Sequence, residues 1–310
     1  DASMARALPG VHAVLTHEDV PRVIYATGGQ TYPNPPPWDQ VSLDSKVRHV
    51  GELIAMCIGD TRAEAEDITE QIEVEFEELP AVVDMLAARE SGSALVHEEW
   101  SDNIYLETAI DGDISSIAEK AAIKVMRELR TARQCMVPIE GRGVVANWDT
   151  RLEQLLVYSA TQMPHIVRTG LSDCLGMDQG QIRVIAPDVG GGFGYKGILL
   201  PEEVCLSWLA IRCGFPLRWI EDRREHLTAS ANCREHHYII TAYADNDGQL
   251  LAKGCGLQIR AHEEFLRWID LLGGHSLRGT DQMLAYAKDF LDVLAQLLTL
   301  CVYHLFLTIQ

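Results

Sequence analysis

The stretch of sequence best suited to chemistry is a glycine-rich loop, Gly190–Gly194, which reads Gly-Gly-Gly-Phe-Gly. Consecutive glycines remove every Cβ, so backbone N–H groups can come close to an anionic or oxo ligand. The dinucleotide fingerprint GxGxxG is not met, because Tyr195 occupies the place of its third glycine. A Walker loop is not met either, because Gly197 follows Lys196 where Ser or Thr is required. A plain turn is the alternative interpretation of this loop.

Two further groups of polar residues fit a chemical role less well. His226, His236 and His237 lie close in sequence, but neighbouring histidines on a strand point to opposite faces and cannot easily share a metal ion. Glu140 and Arg142 fit either a catalytic pair or a structural ion pair. We therefore assign no catalytic residue and no metal ligand to these positions.

The cysteines and the N-terminus bear on the compartment. The eight cysteines occur singly, without a CxxC pair, which favours buried thiols in a reducing compartment over a zinc site, an iron–sulfur cluster or a disulfide framework. The sequence opens at Asp1 without a basic and apolar leader, so no signal peptide is predicted. Both observations predict a cytoplasmic protein.

The chain is acidic and has enough apolar residues for more than one core. Of its 310 residues 47% are hydrophobic, and 26 Lys and Arg stand against 45 Asp and Glu, a formal net charge of −19. Such a charge repels a phosphate backbone or an anionic membrane surface. We therefore expect neither a nucleic acid nor a membrane as a partner. The length and the apolar content of the chain favour two domains.

The N-terminal region predicts a strand, a helix and a second strand. Leu53–Ile58 is an apolar run typical of a buried strand. Thr61 and Glu64 have the spacing of a capping box, which predicts the start of a helix. Ile72–Leu79 alternates apolar and acidic residues and so predicts a strand with one apolar face. The proline-rich segment Gly28–Trp38 predicts a surface loop.

A second α/β region surrounds the glycine-rich loop, after a connector at residues 85–127 that contains the domain boundary. Prolines open its helices and glycines end them, as helix termini favour. The expected strands are Gly143–Trp148, Gln154–Ser159 and Ile182–Ile185. One expected helix runs from about Pro164 to Leu175 and ends at Gly176, another runs from Pro201 until Gly214 stops it, and a hairpin turns at Asn246–Gly248. The loop thus falls between a strand and a helix.

The composition changes after about Lys253, where the sequence becomes leucine-rich. We interpret residues 254–310 as an atypical helical tail that is not native to the fold, such as an out-of-frame or fused segment. Its last apolar stretch is nearly long enough to cross a bilayer, but Asp292, Gln296 and His304 disfavour that interpretation. The predicted fold class is therefore α+β with a helical C-terminal tail.

Several blocks of sequence resemble the molybdenum hydroxylases, the family of xanthine dehydrogenase, aldehyde oxidase and carbon monoxide dehydrogenase. Four blocks resemble the first molybdopterin-binding domain of their large subunit, namely Pro138–Gly143, Ser159–Gln162, Gly191–Gly194 and Ile220–Leu227. Three earlier blocks resemble the preceding a/b hammerhead domain, namely Val47–Glu52, Thr61–Asp67 and Leu79–Asp84. The predicted domains are an N-terminally truncated hammerhead domain at 1–110, part of the first molybdopterin-binding domain at 111–253, and the tail at 254–310.

The resemblance implies a molybdenum-pterin cofactor, in the form of molybdopterin cytosine dinucleotide, and oxidation of a small molecule with water as the oxygen source. It implies 2Fe-2S and FAD groups on partner subunits. It places Phe193 and Gly194 with backbone N–H groups and a ring edge beside an oxo group of the metal, and Gln162 as a side-chain donor to the same group. The implied cofactor-binding residues are Gln162, Gly191, Gly192, Phe193 and Gly194.

The sequence departs from the family pattern directly after the loop. Purine-hydroxylating members carry Gly-Lys-Glu there, whereas this chain has Tyr195-Lys196-Gly197 and lacks the glutamate that contacts substrate. Xanthine is thus a poor candidate substrate, and an aldehyde, an N-heteroaromatic compound or carbon monoxide is expected instead. The family's catalytic glutamate is expected beyond this chain, so the fragment is predicted to be inactive alone. The alternative function is a non-catalytic binding or assembly module in which the loop is only a turn.

Overall fold

The computed structural model describes residues 1–26, 39–104, 114–229, 231–233 and 235–259. The predicted loop Gly28–Trp38 and the predicted tail beyond residue 259 lie outside these ranges. The helices are α1 (Ser3–Arg6), α2 (Arg62–Thr69), α3 (Ser115–Lys120), α4 (Pro164–Leu175), α5 (Pro201–Cys213) and α6 (Arg223–Ala229). The strands are β1 (Ala13–Thr16), β2 (Ala55–Ile58), β3 (Ile123–Thr131), β4 (Gln134–Cys135), β5 (Gly143–Asp149), β6 (Gln154–Ser159), β7 (Ile182–Ile185), β8 (Leu217–Ile220), β9 (Asn232–Cys233), β10 (His236–Ala244) and β11 (Leu250–Ile259). The mixed helices and strands confirm the predicted α+β class.

The N-terminal part is built on the antiparallel pair β1 and β2. Helices α1 and α2 cover this pair through a small apolar cluster that includes Ala5, Val14 and Ile68. The predicted capping box at the start of α2 is confirmed, because the Thr61 hydroxyl accepts from the Glu64 N–H at 3.3 Å and the Glu64 carboxylate accepts from the Thr61 N–H at 2.9 Å. The cap thus sets the start of α2, which three residues separate from the end of β2.

The predicted strand Ile72–Leu79 is wrong for this chain. Residues 73–80 adopt no regular secondary structure, and the Val74 and Phe76 side chains are 43% and 65% exposed. Within residues 73–80, which are all described, only Glu73 has a backbone hydrogen bond, and its partner is Asp1. An alternating pattern forms a strand only where a neighbouring strand and an apolar surface receive it. In the described part of the chain no strand pairs with this segment, and of its apolar side chains Ile72 packs against the small apolar cluster while Val74 and Phe76 are exposed.

The main core surrounds a four-stranded sheet in the order β7-β6-β5-β8. Strands β6 and β7 are parallel, and β5 runs antiparallel to both of its neighbours. Helices α4 and α5 pack on this sheet, where Ala146, Leu155 and Val157 are fully buried. Burial of a Leu or Val side chain contributes roughly 2 kcal/mol. This packing fixes the strand ends from which the loop residues extend.

Both long helices begin and end where the sequence predicts. Helix α4 starts at Pro164 and α5 at Pro201. Gly176 and Gly214 follow them with φ of +64° and +70°, the left-handed conformation that glycine adopts without a Cβ penalty. The predicted strands around them, β5, β6 and β7, are confirmed as well.

Residues 114–134 and 235–259 belong to a second compact unit, whereas 1–104, 135–229 and 231–233 belong to the first. The second unit contains a three-stranded antiparallel sheet in the order β11-β10-β3. The predicted hairpin is confirmed, with Gly248 at φ +78° in its turn. Each of these two units is made of separate stretches of the chain. They therefore do not correspond to the predicted domains 1–110 and 111–253, whose limits stay a prediction.

Strand β11 corrects the predicted start of the tail at residue 254. Residues 254–259 pair with β10, from Gly254 opposite Thr241 to Ile259 opposite His236. Backbone hydrogen bonding to β10 extends the strand whatever the side chains are, so composition alone placed the boundary at least six residues too early.

Candidate functional site

The glycine-rich loop lies between β7 and α5, and its backbone is left-handed at three residues. The φ angles are +94° at Gly191, +52° at Phe193 and +88° at Gly194. This conformation costs an L residue roughly 1–2 kcal/mol, so the contacts around Phe193 must hold it in place. A 3-10 turn at Tyr195–Gly197 follows. The loop therefore has a specific shape.

The first three glycines of the loop each have a close neighbour. A Cβ at Gly190 would lie 2.7 Å from the Cβ of Glu140, and a Cβ at Gly192 would lie 2.2 Å from Oε1 of Gln162. At Gly191 it would lie 3.3 Å from the Cβ of Pro138, at a φ that already disfavours a side chain. The loop is therefore closely packed, which argues against a free, flexible turn.

Gln162 reaches the loop from the end of β6. Its Oε1 accepts a hydrogen bond from the Gly194 N–H at 3.0 Å, and its own N–H donates to the Lys196 carbonyl at 2.8 Å. The structure thus brings together the five residues that the resemblance implied, Gln162, Gly191, Gly192, Phe193 and Gly194. One detail differs from the expectation that the Gly194 N–H faces an oxo group of the metal. This N–H donates to Oε1 of Gln162 instead, because that oxygen lies over Gly192, which has no Cβ.

Four donors at this loop are open. The N–H groups of Gly191, Gly192 and Phe193 and the Nε2 of Gln162 donate to no group in the described part of the chain. The sign of φ alternates from Gly190 to Phe193, the pattern in which successive N–H groups form an anion-binding concavity. Gln162 and Phe193 are exposed. These donors suit a ligand that presents several acceptor atoms.

Glu140 joins the two ends of the loop. Its Oε2 accepts from the Gly190 N–H at 2.7 Å and from Nζ of Lys196 at 2.7 Å. The hydrogen bond from Lys196 is the main reason why the pKa of Glu140 lies below its usual range. The hypothesis that Glu140 pairs with Arg142 is wrong, because the partner of Glu140 is Lys196, 56 positions away.

Arg142 is at the centre of a separate, buried set of charges. Its guanidinium donates to both Glu202 oxygens at 2.7 and 2.9 Å and to Glu221 at 3.1 Å. Burial alone would lower the pKa of Arg142, but Glu202 and then Glu221 outweigh burial and hold the pKa above its ordinary value. Glu221 also accepts from the Tyr195 hydroxyl at 2.5 Å. Since Tyr195 directly follows Gly194, this set of charges anchors the downstream end of the loop.

Two of the family-like blocks, Pro138–Gly143 and Ile220–Leu227, contact each other. Arg223 donates to the carbonyls of Pro138 and Ile139 at 2.9 and 2.7 Å. His226, which is fully buried, lies 2.9 Å from Glu221 and 2.9 Å from the Met136 carbonyl. The segment that carries Glu140 is therefore held by α6 and by Glu221, which accepts from the Arg142 N–H at 2.9 Å.

Sequence reasoning missed Lys196, Glu202 and Glu221 as site-supporting residues. Lys196 and Glu202 are buried although both types are usually exposed. Glu202 lies in the first turn of α5, where a helix dipole favours an acid. Its actual partner, Arg142, is 60 positions away. In the sequence, Glu202 stands just before an apolar run, which suggests burial. This position does not show that its partner is Arg142.

Histidines and cysteines do not form a metal site in the described ranges. No three His, Cys, Asp or Glu side chains gather there as metal ligands would. His237 lies in β10, 2.7 Å from Glu128. Burial raises the pKa of Cys57 to about 11 and that of Cys205 to about 12, so neither thiol ionises readily. Among the described helices, none has the length and apolar character needed to cross a bilayer.

Comparison with known proteins matches two parts of the chain to known domains. Residues 1–80 match the aldehyde oxidase and xanthine dehydrogenase a/b hammerhead domain, and residues 96–259 match the molybdopterin cofactor-binding domain. The chain is 31% identical over 255 residues to the nicotine 6-hydroxylase large subunit of Paenarthrobacter nicotinovorans, covering 81% of this chain and 31% of that protein. It is 32% identical over 265 residues to the carbon monoxide dehydrogenase large chain of Hydrogenophaga pseudoflava, covering 80% and 32%.

Solved structures show the same likeness. Quinoline 2-oxidoreductase from Pseudomonas putida 86 superposes with a TM-score of 0.75 at 35% identity, covering 83% of this chain and 33% of that one. Aldehyde oxidoreductase from Desulfovibrio gigas superposes with a TM-score of 0.76 at 28% identity, covering 84% and 29%. The chain thus spans about a third of the length of these relatives. Its two matched domains, in this order, make it a member of the molybdenum hydroxylase family, with the hammerhead and molybdopterin-binding domains of the family's large subunit.

Proposed function

We propose that this chain is the part of a molybdenum hydroxylase large subunit that holds one side of the molybdenum-pterin cofactor, at the loop Gly190–Gly194. The observation that carries the proposal is the group of four open donors at Gly191, Gly192, Phe193 and Gln162, on a loop whose glycines leave no room for side chains. The match of residues 96–259 to a molybdopterin cofactor-binding domain supports it.

The residues present fit such a cofactor. Its oxo, thiolate and phosphate groups are acceptors, and the three open N–H groups and the Nε2 of Gln162 are donors. When bound, the molybdenum-pterin group supplies two-electron oxidation with water as the source of oxygen. The chain itself binds and orients: Gln162 and the loop amides fix the acceptor groups by hydrogen bonds, and the exposed Phe193 ring offers an apolar surface beside them.

The substrate and partners are proposed from the relatives. We propose a small aldehyde, an N-heteroaromatic compound or carbon monoxide as the substrate, the molybdopterin cytosine dinucleotide form of the cofactor, and partner subunits that carry 2Fe-2S and FAD groups. Support comes from the names of the relatives, which include a nicotine 6-hydroxylase large subunit and a carbon monoxide dehydrogenase large chain. The absence of a glutamate after Tyr195-Lys196 argues against xanthine.

The proposal predicts that Gln162→Ala and Gly192→Ala lower the molybdenum content of the subunit when it is purified in its native complex. Gln162→Ala removes an open donor, and Gly192→Ala introduces a Cβ where Gln162 now lies. We expect each variant to retain about a tenth of the wild-type metal or less, as for loss of a supporting contact at a metal site. Molybdenum is measured by mass spectrometry and pterin by fluorescence after oxidation.

Gln179→Ala is the matched control, because Gln179 is an exposed glutamine in a 3-10 turn. It should keep the full metal content. If Gln162→Ala and Gly192→Ala also keep molybdenum and pterin at wild-type levels, the cofactor site is elsewhere. The alternative of a non-catalytic binding or assembly module would then be favoured.

A further inference from the structure

We propose that Glu140 and Lys196 are positioning residues that clamp both ends of the glycine-rich loop and set Gln162 against it, without contacting the cofactor themselves. This role rests on the cofactor site proposed above.

The Glu140 carboxylate holds the upstream end of the loop. One oxygen, Oε2, accepts from the Gly190 N–H and from Nζ of Lys196, each at 2.7 Å. The Glu140 N–H in turn lies 3.4 Å from the Gly190 carbonyl. Gly190 has no space for a Cβ, because Glu140 lies directly over it. Backbone and side chain of Glu140 thus fix a single glycine from one side.

Lys196 carries the same clamp to the downstream end and to Gln162. Its side chain is fully buried, and its ammonium faces Glu140. Its carbonyl accepts from the Gln162 N–H at 2.8 Å and from the Thr161 hydroxyl at 3.1 Å. Lys196 therefore links the three segments of the site: the strand-end segment Thr161–Gln162, the loop, and the segment that carries Glu140.

Because Lys196 is buried, its role differs from that of a phosphate-binding lysine. A lysine that follows a glycine-rich loop often binds phosphate through an exposed ammonium. Here the ammonium is enclosed and neutralised by a carboxylate, so an anionic ligand has no access to it. The Lys196 charge therefore stabilises the conformation of the loop. The N–H groups of Gly191, Gly192 and Phe193 remain available to bind the ligand.

The clamp has its own support. The carbonyls of Pro138 and Ile139, just before Glu140, accept hydrogen bonds from Arg223. Glu140 is thus attached to α6, and its carboxylate is not carried on a loose segment.

The test uses amide hydrogen exchange of Gly190 in the full chain, read by NMR with ¹³C-carbonyl valine and ¹⁵N glycine. The sequence contains two Val-Gly pairs, Val189-Gly190 and Val50-Gly51, so two signals appear. The chemical shift of Gly51, whose backbone packs against Ala229, is an internal control for the fold. In Glu140→Ala we expect exchange at Gly190 to rise by about tenfold or more, the loss of one charge-assisted hydrogen bond. The Gly51 signal should not change.

Two further variants make the result specific. Glu140→Gln keeps an oxygen acceptor, so it should restore most of the protection at Gly190. Lys196→Met removes the second contact of the carboxylate and should shift the signal of Gly194. That signal is selected in a second sample, labelled with ¹³C-carbonyl phenylalanine and ¹⁵N glycine, because Phe193-Gly194 is the one Phe-Gly pair in the sequence. Glu66→Ala is the matched control, because Glu66 forms an exposed ion pair with Arg62 on α2; it should leave Gly190 and Gly194 unchanged.

Unchanged exchange at Gly190 in Glu140→Ala, with Gly51 also unchanged, overturns the proposal. If Glu140→Ala alters Gly51 and so disturbs the fold, Lys196→Met decides, and an unshifted Gly194 signal overturns the proposal. These signals are read without cofactor. Failure of the clamp therefore appears in the exchange of Gly190, whereas failure of the proposed function appears in the molybdenum content of Gln162→Ala.

Discussion

The buried carboxyl of Glu203 shows how a single residue can make stability depend on pH. Its oxygens accept from the Ser159 hydroxyl at 2.7 Å and from the Leu200 N–H at 2.8 Å. Burial raises the pKa of Glu203 to about 7. Between the ordinary pKa of a glutamate and this value, the folded chain binds a proton that the unfolded chain has lost.

We predict that this group makes the folded chain less stable as pH rises from about 4.5 to about 7, by on the order of 3 kcal/mol in total. Glu203→Gln mimics the protonated form, because its Nε2 can donate to Ser159 while its oxygen accepts from Leu200. The variant should therefore lose less stability over this range. Thermal unfolding at pH 5 and pH 7.5 measures the difference, and parallel profiles for the two proteins would contradict the prediction.

Local sequence signals identified the loop residues but not their supports. Three consecutive glycines mark a close approach of the backbone at Gly190–Gly192, and the structure fills each place with a neighbour. The supporting pairs join residues 56 to 79 positions apart, such as Lys196 with Glu140 and Arg142 with Glu221. No local pattern encodes such a partner, because a charged residue that is buried looks the same in sequence as one that is exposed.

At the scale of elements, the sequence predicted the helices that start at a proline and end at a glycine. Helix α4, between a proline and a left-handed glycine, was predicted with its observed bounds. The segment Ile72–Leu79 was not, because strand formation depends on a neighbour and not only on alternation. For the same reason the tail was predicted to start at residue 254, inside β11, since the length of this strand depends on its pairing with β10.

The capping box of α2 gives a prediction at this scale. Thr61→Ala removes the hydroxyl that accepts from the Glu64 N–H, and the loss of such a cap costs about 1 kcal/mol. Urea unfolding measures the change in the free energy of unfolding. Thr169→Ala, at an exposed position inside α4 where the hydroxyl bonds the His165 carbonyl, should be neutral or slightly stabilising. Equal losses in both variants would show that the cap contributes nothing specific.

At the scale of the whole molecule, the chain spans about a third of the length of its relatives, and its loop is open. Phe193 is 57% exposed, and the donors beside it face no group in the described ranges. A site that is open to water cannot exclude solvent from a reacting centre. Composition and charge could not reveal this openness, because it depends on which surfaces are covered.

We therefore predict that the isolated chain, supplied with molybdenum cofactor, shows no dye-linked hydroxylase turnover with aldehydes, N-heteroaromatic compounds or carbon monoxide. The native complex that contains the full-length subunit, assayed with the same dyes, is the positive control. Turnover by the isolated chain at a rate comparable to that of the complex would contradict the prediction and would mean that these 310 residues hold a complete reacting centre.

The close fit of the glycine-rich loop has a consequence for protein engineering. Gly190 fits against Glu140, Gly191 against Pro138, and Gly192 against Gln162. A designer who grafts the five residues of the loop onto another scaffold would transfer a sequence without the surfaces that give it its shape. The smallest transplantable unit is discontinuous: it comprises the loop with Lys196, the segment from Pro138 to Glu140, and the strand end that carries Gln162.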